Sequence, residues 1–328
     1  MLRVCIYGAG AIGGFIGTRL ALSGAAEVSA VARGPTLLAL RSHGWRLFNG
    51  HGLQQAPAVA SADPAELGPQ DVVIVAVKGQ AMAAVAQGIE ELLGPQTIVL
   101  PAMNGVPWWF AQGLDVLGEA PLRSVDPGGE IARAIPLRRV VGCVVHASAA
   151  TTEPGLVHNR MGQGLIIGEP GGGLSERVAT LGGLLREAGF DVTTSERIRH
   201  DLWYKLWGNL TMNPVSALTG VSTDRVLSDP LVREFCSRAM AEMAEIGARI
   251  GCPIEQSAEE RHQLTAKLGA FKTSMLQDVE AGRPIELDAI VAAVQELAQR
   301  LGIATPNIDA LLGLTRLFAQ ARGLYPPT

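Results

Sequence analysis

The chain has 328 residues, 48% of them hydrophobic and 18% charged, with 27 Lys and Arg against 31 Asp and Glu for a net charge of −4. At roughly 150 residues per domain this length predicts two folded domains, and the slight acidity excludes the basic surface that binding to a phosphate backbone requires. The four cysteines, Cys5, Cys143, Cys236 and Cys252, form no Cys-x-x-Cys pair and are expected as buried free thiols.

Short apolar runs at residues 2–7, 28–32, 72–77 and 97–100 alternate with helical stretches, the first a small-residue helix ending at Ser23. Such alternation predicts a parallel sheet with helices on both faces. Weaker strand signals at 140–147, 164–168 and 191–194 are expected to continue it, with a helix over 175–188 before the last. Past residue 195 the strand signal ends, and apolar residues recur at helical spacing to Ala321, with breaks expected near Pro214, Pro230, Pro253, Pro284 and Pro306. The predicted domains are therefore 1–195, α/β and doubly wound, and 196–328, all-α. No apolar run reaches the roughly 18 residues needed to cross a bilayer, and Gly8, Gly10, Gly13 and Gly14 interrupt the segment where a signal peptide would be apolar. A cytoplasmic protein without a membrane partner is expected.

Gly8, Gly10 and Gly13 spell Gly-x-Gly-x-x-Gly between the first strand and the first helix, with Ala11 and Ile12 in the variable positions. In that context the first glycine makes the turn, the second admits a pyrophosphate to the backbone, and the third packs helix on strand. An NAD site would place a carboxylate about 20 residues further on. Arg33 stands there instead, and its planar fork suits a 2′-phosphate, so NADP(H) is the expected cofactor.

The segment 198–218 is an apolar helix in which Lys205, Asn209 and Asn213 fall four residues apart, within about 80° of one another on the helix surface. Spacing alone leaves two readings open. One is a functional stripe, with Asn213 presented at a helix end made by Pro214. The other is a solvated face on which Asp201 and Lys205 pair. Lys78 and Asn104 follow apolar strands and so belong at the carboxyl edge of the sheet, where α/β folds bind ligands, although Asn104-Gly105 is also an ordinary turn dipeptide. Glu286 follows Gly282-Arg283-Pro284 and is expected in the first turn of a helix, where a carboxylate is favourable in its own right. No metal site is expected: the sequence has no His-Glu-x-x-His and no cluster among its six His, and it also lacks a Gly-x-Ser-x-Gly elbow and a Gly-Lys-Ser/Thr phosphate loop.

These segments together resemble the ketopantoate reductase (2-dehydropantoate 2-reductase) family over nearly the whole chain: GAGAIGG at the start, ARG after the second strand, then VAVKGQ, MNG, TTEPGLVHN, IIGEP, LWYKLWGNLTMNPVSAL, and SMLQD followed by PIELD. The resemblance implies a Rossmann-type cofactor domain, a helical substrate domain, and NADPH-dependent reduction of a 2-keto acid to a 2-hydroxy acid, ketopantoate to pantoate. It also implies that Lys205 is the general acid, that Glu286 orients it, that Asn209, Asn213 and Ser274 bind substrate, and that Asn104 and Lys78 bridge substrate and cofactor. Proton donation by a lysine is chemically apt, since its unperturbed pKa of about 10.4 keeps it charged at neutral pH.

Two departures from the family pattern open an alternative. Phe271, if it shares a helical face with Ser274, and the pair Trp108 and Trp109 could form an apolar wall suited to a bulkier 2-keto acid. A non-catalytic NADP(H)-binding sensor is a rival of another class, but it has no use for Lys205, Asn209, Asn213, Ser274 and Glu286 together. The expected partner is a small 2-keto acid, with a homodimer among the assembly states left open.

Overall fold

The structure is a computed structural model that describes residues 1–50 and 52–327. The chain divides into two compact units, one holding Met1–Phe110 with Gly129–Asp201, the other Ala111–Gly128 with the chain from Leu202 onward.

The first unit runs β1 (Leu2–Tyr7), α1 (Ala11–Ser23), β2 (Ala26–Val31), α2 (Gly34–His43), β3 (Trp45–Asn49), β4 (Gly52–Ala56), β5 (Val59–Ser61), β6 (Gln70–Val75), α3 (Met82–Gly88) and β7 (Leu93–Pro101). It then resumes with α4 (Glu130–Ala134), β8 (Gly142–Glu153), β9 (Leu156–Gly168), α5 (Glu176–Glu187) and β10 (Asp191–Ser195). One sheet is ordered β5-β2-β1-β6-β7, all parallel, and Val140 extends it by a parallel bridge to Val99. The chain starts in the middle, winds outward, then crosses over to β6, which is the doubly wound order. Val4, Cys5 and Ile6 are fully buried, as a central strand covered on both faces must be. The strands end level. Tyr7 pairs with Val31 on one side and Val75 on the other, and Val75 pairs with Pro101.

The later strands depart from expectation. Beyond the bridge at Val140, residues 142–147 and 164–168 do not continue this sheet but lie in a long antiparallel hairpin, β8 with β9, within a second sheet ordered β10-β9-β3-β4 that also takes in 191–194. The β3–β4 hairpin has no counterpart in the strand pattern, because Gln54 and Gln55 on its solvated strand hide the alternation. This second sheet explains why α1 is made of small residues. A Cβ on Gly13 would lie 3.0 Å from Ile6 of the first sheet, one on Gly14 2.6 Å from Val157 of the second, and one on Gly17 2.5 Å from Trp45 of the second. A helix held between two sheets at this distance has no room for larger side chains.

The second unit is helical: α6 (Ile198–Thr219, entered from the first unit), α7 (Thr223–Ser228), α8 (Pro230–Arg249), α9 (Ala258–Ala266), α10 (Ser274–Glu280), α11 (Ala293–Leu301, preceded by a π turn over Asp288–Ala292) and α12 (Pro306–Ala321). Pro230 and Pro306 open their helices, where a missing N–H costs nothing. Pro214, expected to end or bend α6, is carried inside it. The surroundings hold that segment: Asn213 is 4% exposed, Val215 5% and Ser216 0%, and burial of this stretch outweighs one lost backbone hydrogen bond. Trp203 and Trp207 anchor the apolar face of α6, the Trp207 indole N–H donating to Met240 O at 2.8 Å. The segment 111–128 is strapped to α11 by Glu296, which accepts from the backbone N–H groups of Arg123 and Ser124, each at 2.9 Å. Among the described residues no helix is long and apolar enough to cross a membrane.

Candidate functional site

Four of the expected residues or segments lie along one edge of the parallel sheet, where β2, β1, β6 and β7 end at the same level. The chain leaving each strand stays hydrogen-bonded to its neighbour: Gly8 N–H to Val31 O at 3.0 Å, Ala76 N–H to Tyr7 O at 2.9 Å, Ala102 N–H to Val75 O at 2.8 Å. With strands spaced about 4.8 Å apart, this sets Arg33, the glycine loop, Lys78 and Asn104 in order along the edge. The crossover from β1 to β6 makes the topological switch point at the loop itself.

The loop fits a dinucleotide pyrophosphate, glycine by glycine. Gly8 has φ +96°, a turn that other residues avoid, and a Cβ there would meet Val77 Cγ1 at 2.5 Å. A Cβ on Gly13 would overlap the carbonyl oxygen of Gly8, so this glycine closes helix onto strand. Gly10 has nothing within 4 Å of its missing Cβ. It faces open space at the N-terminus of a helix with no acidic residue in its first turn, where free N–H groups of the Ala11–Gly13 turn and the helix dipole favour an anion. Val77, which forms the floor under Gly8, was not singled out from the sequence. An apolar residue just past a strand gives no periodic signal.

Arg33 is exposed at the end of β2 and caps α2 with extended backbone. Its charge reaches the phenol of Tyr7, the last residue of β1, which burial otherwise holds above the usual tyrosine range. The guanidinium is thus beside the glycine loop, where a ribose 2′-phosphate would lie. Lys78 is half-buried and opens the short turn Gly79–Ala81, its carbonyl accepting from Ala81 N–H at 2.9 Å. Asn104 is half-buried in the bend after β7.

The remaining expected residues sit in the helical unit. Lys205 and Asn209 are half-buried on α6 and Asn213 is buried, so the stripe descends from a wetter end into the core. The solvated-pair reading of Asp201 and Lys205 is not what the structure holds: Asp201 accepts a short hydrogen bond from Ser195 Oγ, which also caps Arg197 N–H at 2.9 Å. Asn213 is not at a helix end. Ser274 is the exposed first residue of α10, placed by its neighbour. The Thr273 hydroxyl caps Leu276 N–H at 3.2 Å and shares a 2.6 Å hydrogen bond with Ser216 Oγ, one turn past Asn213. The cap Thr-Ser-Met-Leu was legible as a helix start, but its partner on α6 was not. Glu286 is half-buried just ahead of the helix, not in its first turn, between the fully buried Ile285 and Leu287.

The two tryptophans of the suspected apolar wall are core residues. Trp108 and Trp109 are 2% and 0% exposed in the core of the first unit, Trp108 donating to Ile135 O at 3.3 Å. Phe271 precedes the Thr273 cap and so shares no helix with Ser274; its carbonyl accepts from Thr223 N–H at 3.0 Å. A cavity of ≈ 850 Å³ opens at the far end of α1 beside Arg19, Gln54, Met161 and Asp191. Its lining on α1 runs from Phe15 to Ser23, about 6 to 18 Å along the helix from Ala11. Its central cation is already engaged with Ala188 O, Gly189 O and Gln163. All four thiols are free and buried, with Cys5 and Cys236 pushed up to about 12 by burial, which removes them as nucleophiles. Among the described residues, which exclude His51, no group of His, Cys, Asp or Glu could hold a metal.

Residues 4–172 match the family model for ketopantoate reductase PanE/ApbA, and residues 197–319 match the model for its C-terminal part. The 2-dehydropantoate 2-reductase of Mesorhizobium japonicum is 41% identical over 325 residues, spanning 99% of this chain and all of that protein. The enzyme of the same name from Halobacterium salinarum is 29% identical over 98% of this chain and all of its own. The crystal structure of a candidate ketopantoate reductase from Ralstonia solanacearum MolK2 superposes with a TM-score of 0.95 at 54% identity, covering 99% of both chains.

Proposed function

The chain belongs to the ketopantoate reductase family, and from that membership we propose that it reduces ketopantoate to pantoate with NADPH. The observation that carries the proposal is the row Lys205, Asn209 and Asn213 on an otherwise apolar helix, half-buried to buried, in a chain whose first unit offers the glycine loop and Arg33.

Gly8, Gly10, Ala11, Ile12 and Gly13 hold the cofactor pyrophosphate, and Arg33 holds its 2′-phosphate. The bound cofactor supplies the hydride. Lys205 arrives as an ammonium and gives its proton to the keto oxygen as that atom takes up negative charge, so no free alkoxide has to form. Glu286 orients the ammonium and favours its charged form. Asn209, Asn213 and Ser274 hydrogen-bond the substrate, Asn104 and Lys78 lie where cofactor and substrate meet, and the half-burial of Lys205 and Asn209 limits competition from bulk water. Residues 1–195 serve the cofactor and residues 196–328 the substrate. A cytoplasmic location and a homodimer belong to the same proposal, the second open to sedimentation analysis.

Oxidation of NADPH across a panel of 2-keto acids tests this reading. Ketopantoate should have the highest kcat/KM, and NADPH should be preferred to NADH. A bulkier acid preferred at least tenfold over ketopantoate would replace the substrate assignment, and binding of NADPH without turnover of any acid would favour the sensor.

A further inference from the structure

Resting on the proposed role of Glu286 in orienting Lys205, we propose that Tyr325 is a positioning residue for Glu286, fixing through Asp288 the turn that carries it. Glu286 belongs to the stretch between α10 and α11, in which residues 281–284 are exposed while Ile285 and Leu287 are fully buried. The segment after α12 crosses this stretch and holds it at two points. Ile285 N–H donates to Leu324 O at 3.1 Å, and the Tyr325 phenol donates to Asp288 Oδ1 at 2.5 Å. Leu324 is itself anchored, 4% exposed and with its N–H on Ala319 O at 2.8 Å. Two adjacent residues thus grip the chain one residue before Glu286 and two residues after it.

The start of the helix after Glu286 depends on that grip. Asp229, Ser257 and Thr273 cap α8, α9 and α10 with their own side chains. The corresponding position here is Leu287, which has no group to cap with, and the chain passes directly into the π turn, where Ala293 N–H bonds to Asp288 O. A π turn is uncommon, gathers at functional sites, and persists where the surroundings determine it. A slip of this start by one residue would swing Glu286 about 100° round the helix axis. Asp288 is the first residue of the turn, and its carboxylate goes to Tyr325 rather than back to the helix N–H groups that an acidic side chain at a helix start ordinarily serves. Burial and the neighbouring Asp288 push the phenol above its ordinary range, so it remains a donor at neutral pH.

The chemistry explains why such a hold is needed. A carboxylate that aims an ammonium at one oxygen must itself be placed, and an error of about 1 Å in a catalytic group costs as much as about 10²-fold in rate. Glu286 stands at the end of an exposed linker that turns at Gly282, φ +63°. Upstream the linker is tied to α10, the helix that Ser274 opens, by Arg283, whose N–H donates to Asp278 O at 2.8 Å and whose Nε–H donates to Asp278 Oδ1 at 3.0 Å. Downstream only the Leu324–Tyr325 grip supplies side-chain and backbone hydrogen bonds of this kind from another part of the chain. Tyr325 therefore acts on the reaction through Asp288 and the backbone of Glu286, without touching substrate or cofactor.

The test places Tyr325→Phe, which removes only the phenol oxygen, in the unaltered protein and in a Glu286→Ala background. In the first, kcat for ketopantoate should fall about tenfold with KM within about twofold, as for a small misplacement of a catalytic group. In the second no carboxylate is left to place, and the same substitution should change kcat by less than about twofold. Asp288→Asn keeps an oxygen for the phenol and should cost only about twofold in kcat, whereas Asp288→Ala should match Tyr325→Phe at about tenfold. Equal losses in both backgrounds would make Tyr325 a support for the fold alone and overturn the proposal, as would an unchanged kcat in Tyr325→Phe. Hydrogen exchange of the intact protein reads the grip without turnover. In Tyr325→Phe the Ile285 amide should exchange about fivefold faster or more while the amides of α6 keep their rates, since opening is local. If the parent turns over no 2-keto acid, the reductase reading falls separately. Faster exchange confined to Ile285 and its neighbours then keeps the grip on Glu286, and unchanged exchange there overturns it.

Discussion

The glycine loop after β1 and the polar stripe of α6 are built from different parts of the chain. The loop is backbone: three positions without a Cβ, one at φ +96°, one closed against Gly8 O, one left open. The stripe is side chain, with three polar groups on a helix whose other faces carry Leu and Trp. A backbone site tolerates few changes of residue yet needs no exact side-chain placement. A side-chain site tolerates changes in the scaffold but depends on single groups. Substitutions should therefore fail differently in the two regions, by losing the fold or cofactor in one and by losing the chemical step in the other.

The largest effect is expected at the stripe. Lys205→Ala should lower kcat about 10² to 10⁴-fold, the usual contribution of a positioned acid, while the Kd for NADPH, measured by fluorescence titration, stays within about twofold. Near-normal kcat would refute the acid role. At the loop, Gly13→Ala and Gly10→Ala should part company. The first places a methyl group on the backbone of Gly8, which cannot move aside, and should cost about 3 kcal/mol of stability or abolish folding. The second meets nothing within 4 Å, so Tm should hold while NADPH affinity falls about tenfold as the methyl group occupies the space of the pyrophosphate. A matched loss of Tm in both variants would mean that the loop is only a turn.

This contrast also explains what was legible in the sequence. Gly8, Gly10 and Gly13 could be placed because glycine spacing reports backbone geometry directly, and a parallel sheet covered by helices followed from the alternation of apolar runs. The α6 stripe could be seen but not interpreted, since Lys205, Asn209 and Asn213 have the same spacing whether they meet water or substrate. Resemblance to a family, not periodicity, gave them roles. The strands of the β8–β9 hairpin were visible at 140–147 and 164–168, but their place in a second sheet was not, since an apolar run reports a strand and not its partner; the β3–β4 pair escaped because its solvated strand blurs the period of two. Pro214 misled because the local rule for proline ignores what its neighbours bury. Phe271 misled because a cap at Thr273, two residues later, resets where the helix begins.

Cofactor choice comes next in size. Arg33→Asp removes a fork and adds a repelling charge beside the loop, and should cut the preference for NADPH over NADH about 10 to 100-fold in kcat/KM. Equal use of both cofactors by the unaltered protein would exclude this role for Arg33. Smaller again is the strap on α11. Burial acts to raise the carboxyl pKa of Glu296, but hydrogen bonds from Ser124, Arg123 and Arg300 outweigh it and hold the group below the ordinary range. A depressed folded pKa stabilises above the unfolded value, about 4.3, and that contribution fades as pH falls through the folded one. Glu296→Gln should thus lower stability by about 1 to 2 kcal/mol at neutral pH, and its Tm difference from the parent should narrow below about pH 4. A difference constant with pH would mean that Glu296 works as a neutral hydrogen-bonding group.

The smallest effect belongs to Asp201, four residues before Lys205 on the same helix. From spacing alone these two form a surface pair, and then each substitution should perturb the other residue's charge. Asp201 is instead held by Ser195 Oγ, whose other hydrogen bond caps Arg197 N–H, so its contacts serve the start of α6. Asp201→Ala should cost about 1 kcal/mol, the usual worth of a cap, and lower Tm by a few degrees. It should leave kcat and its pH profile unchanged, because no contact of Asp201 reaches the ammonium. A shift of the basic limb of that profile toward lower pH would show that Asp201 supports the charge of Lys205, and the polar residues at the head of α6 would then form one unit with the stripe rather than a separate device for starting the helix.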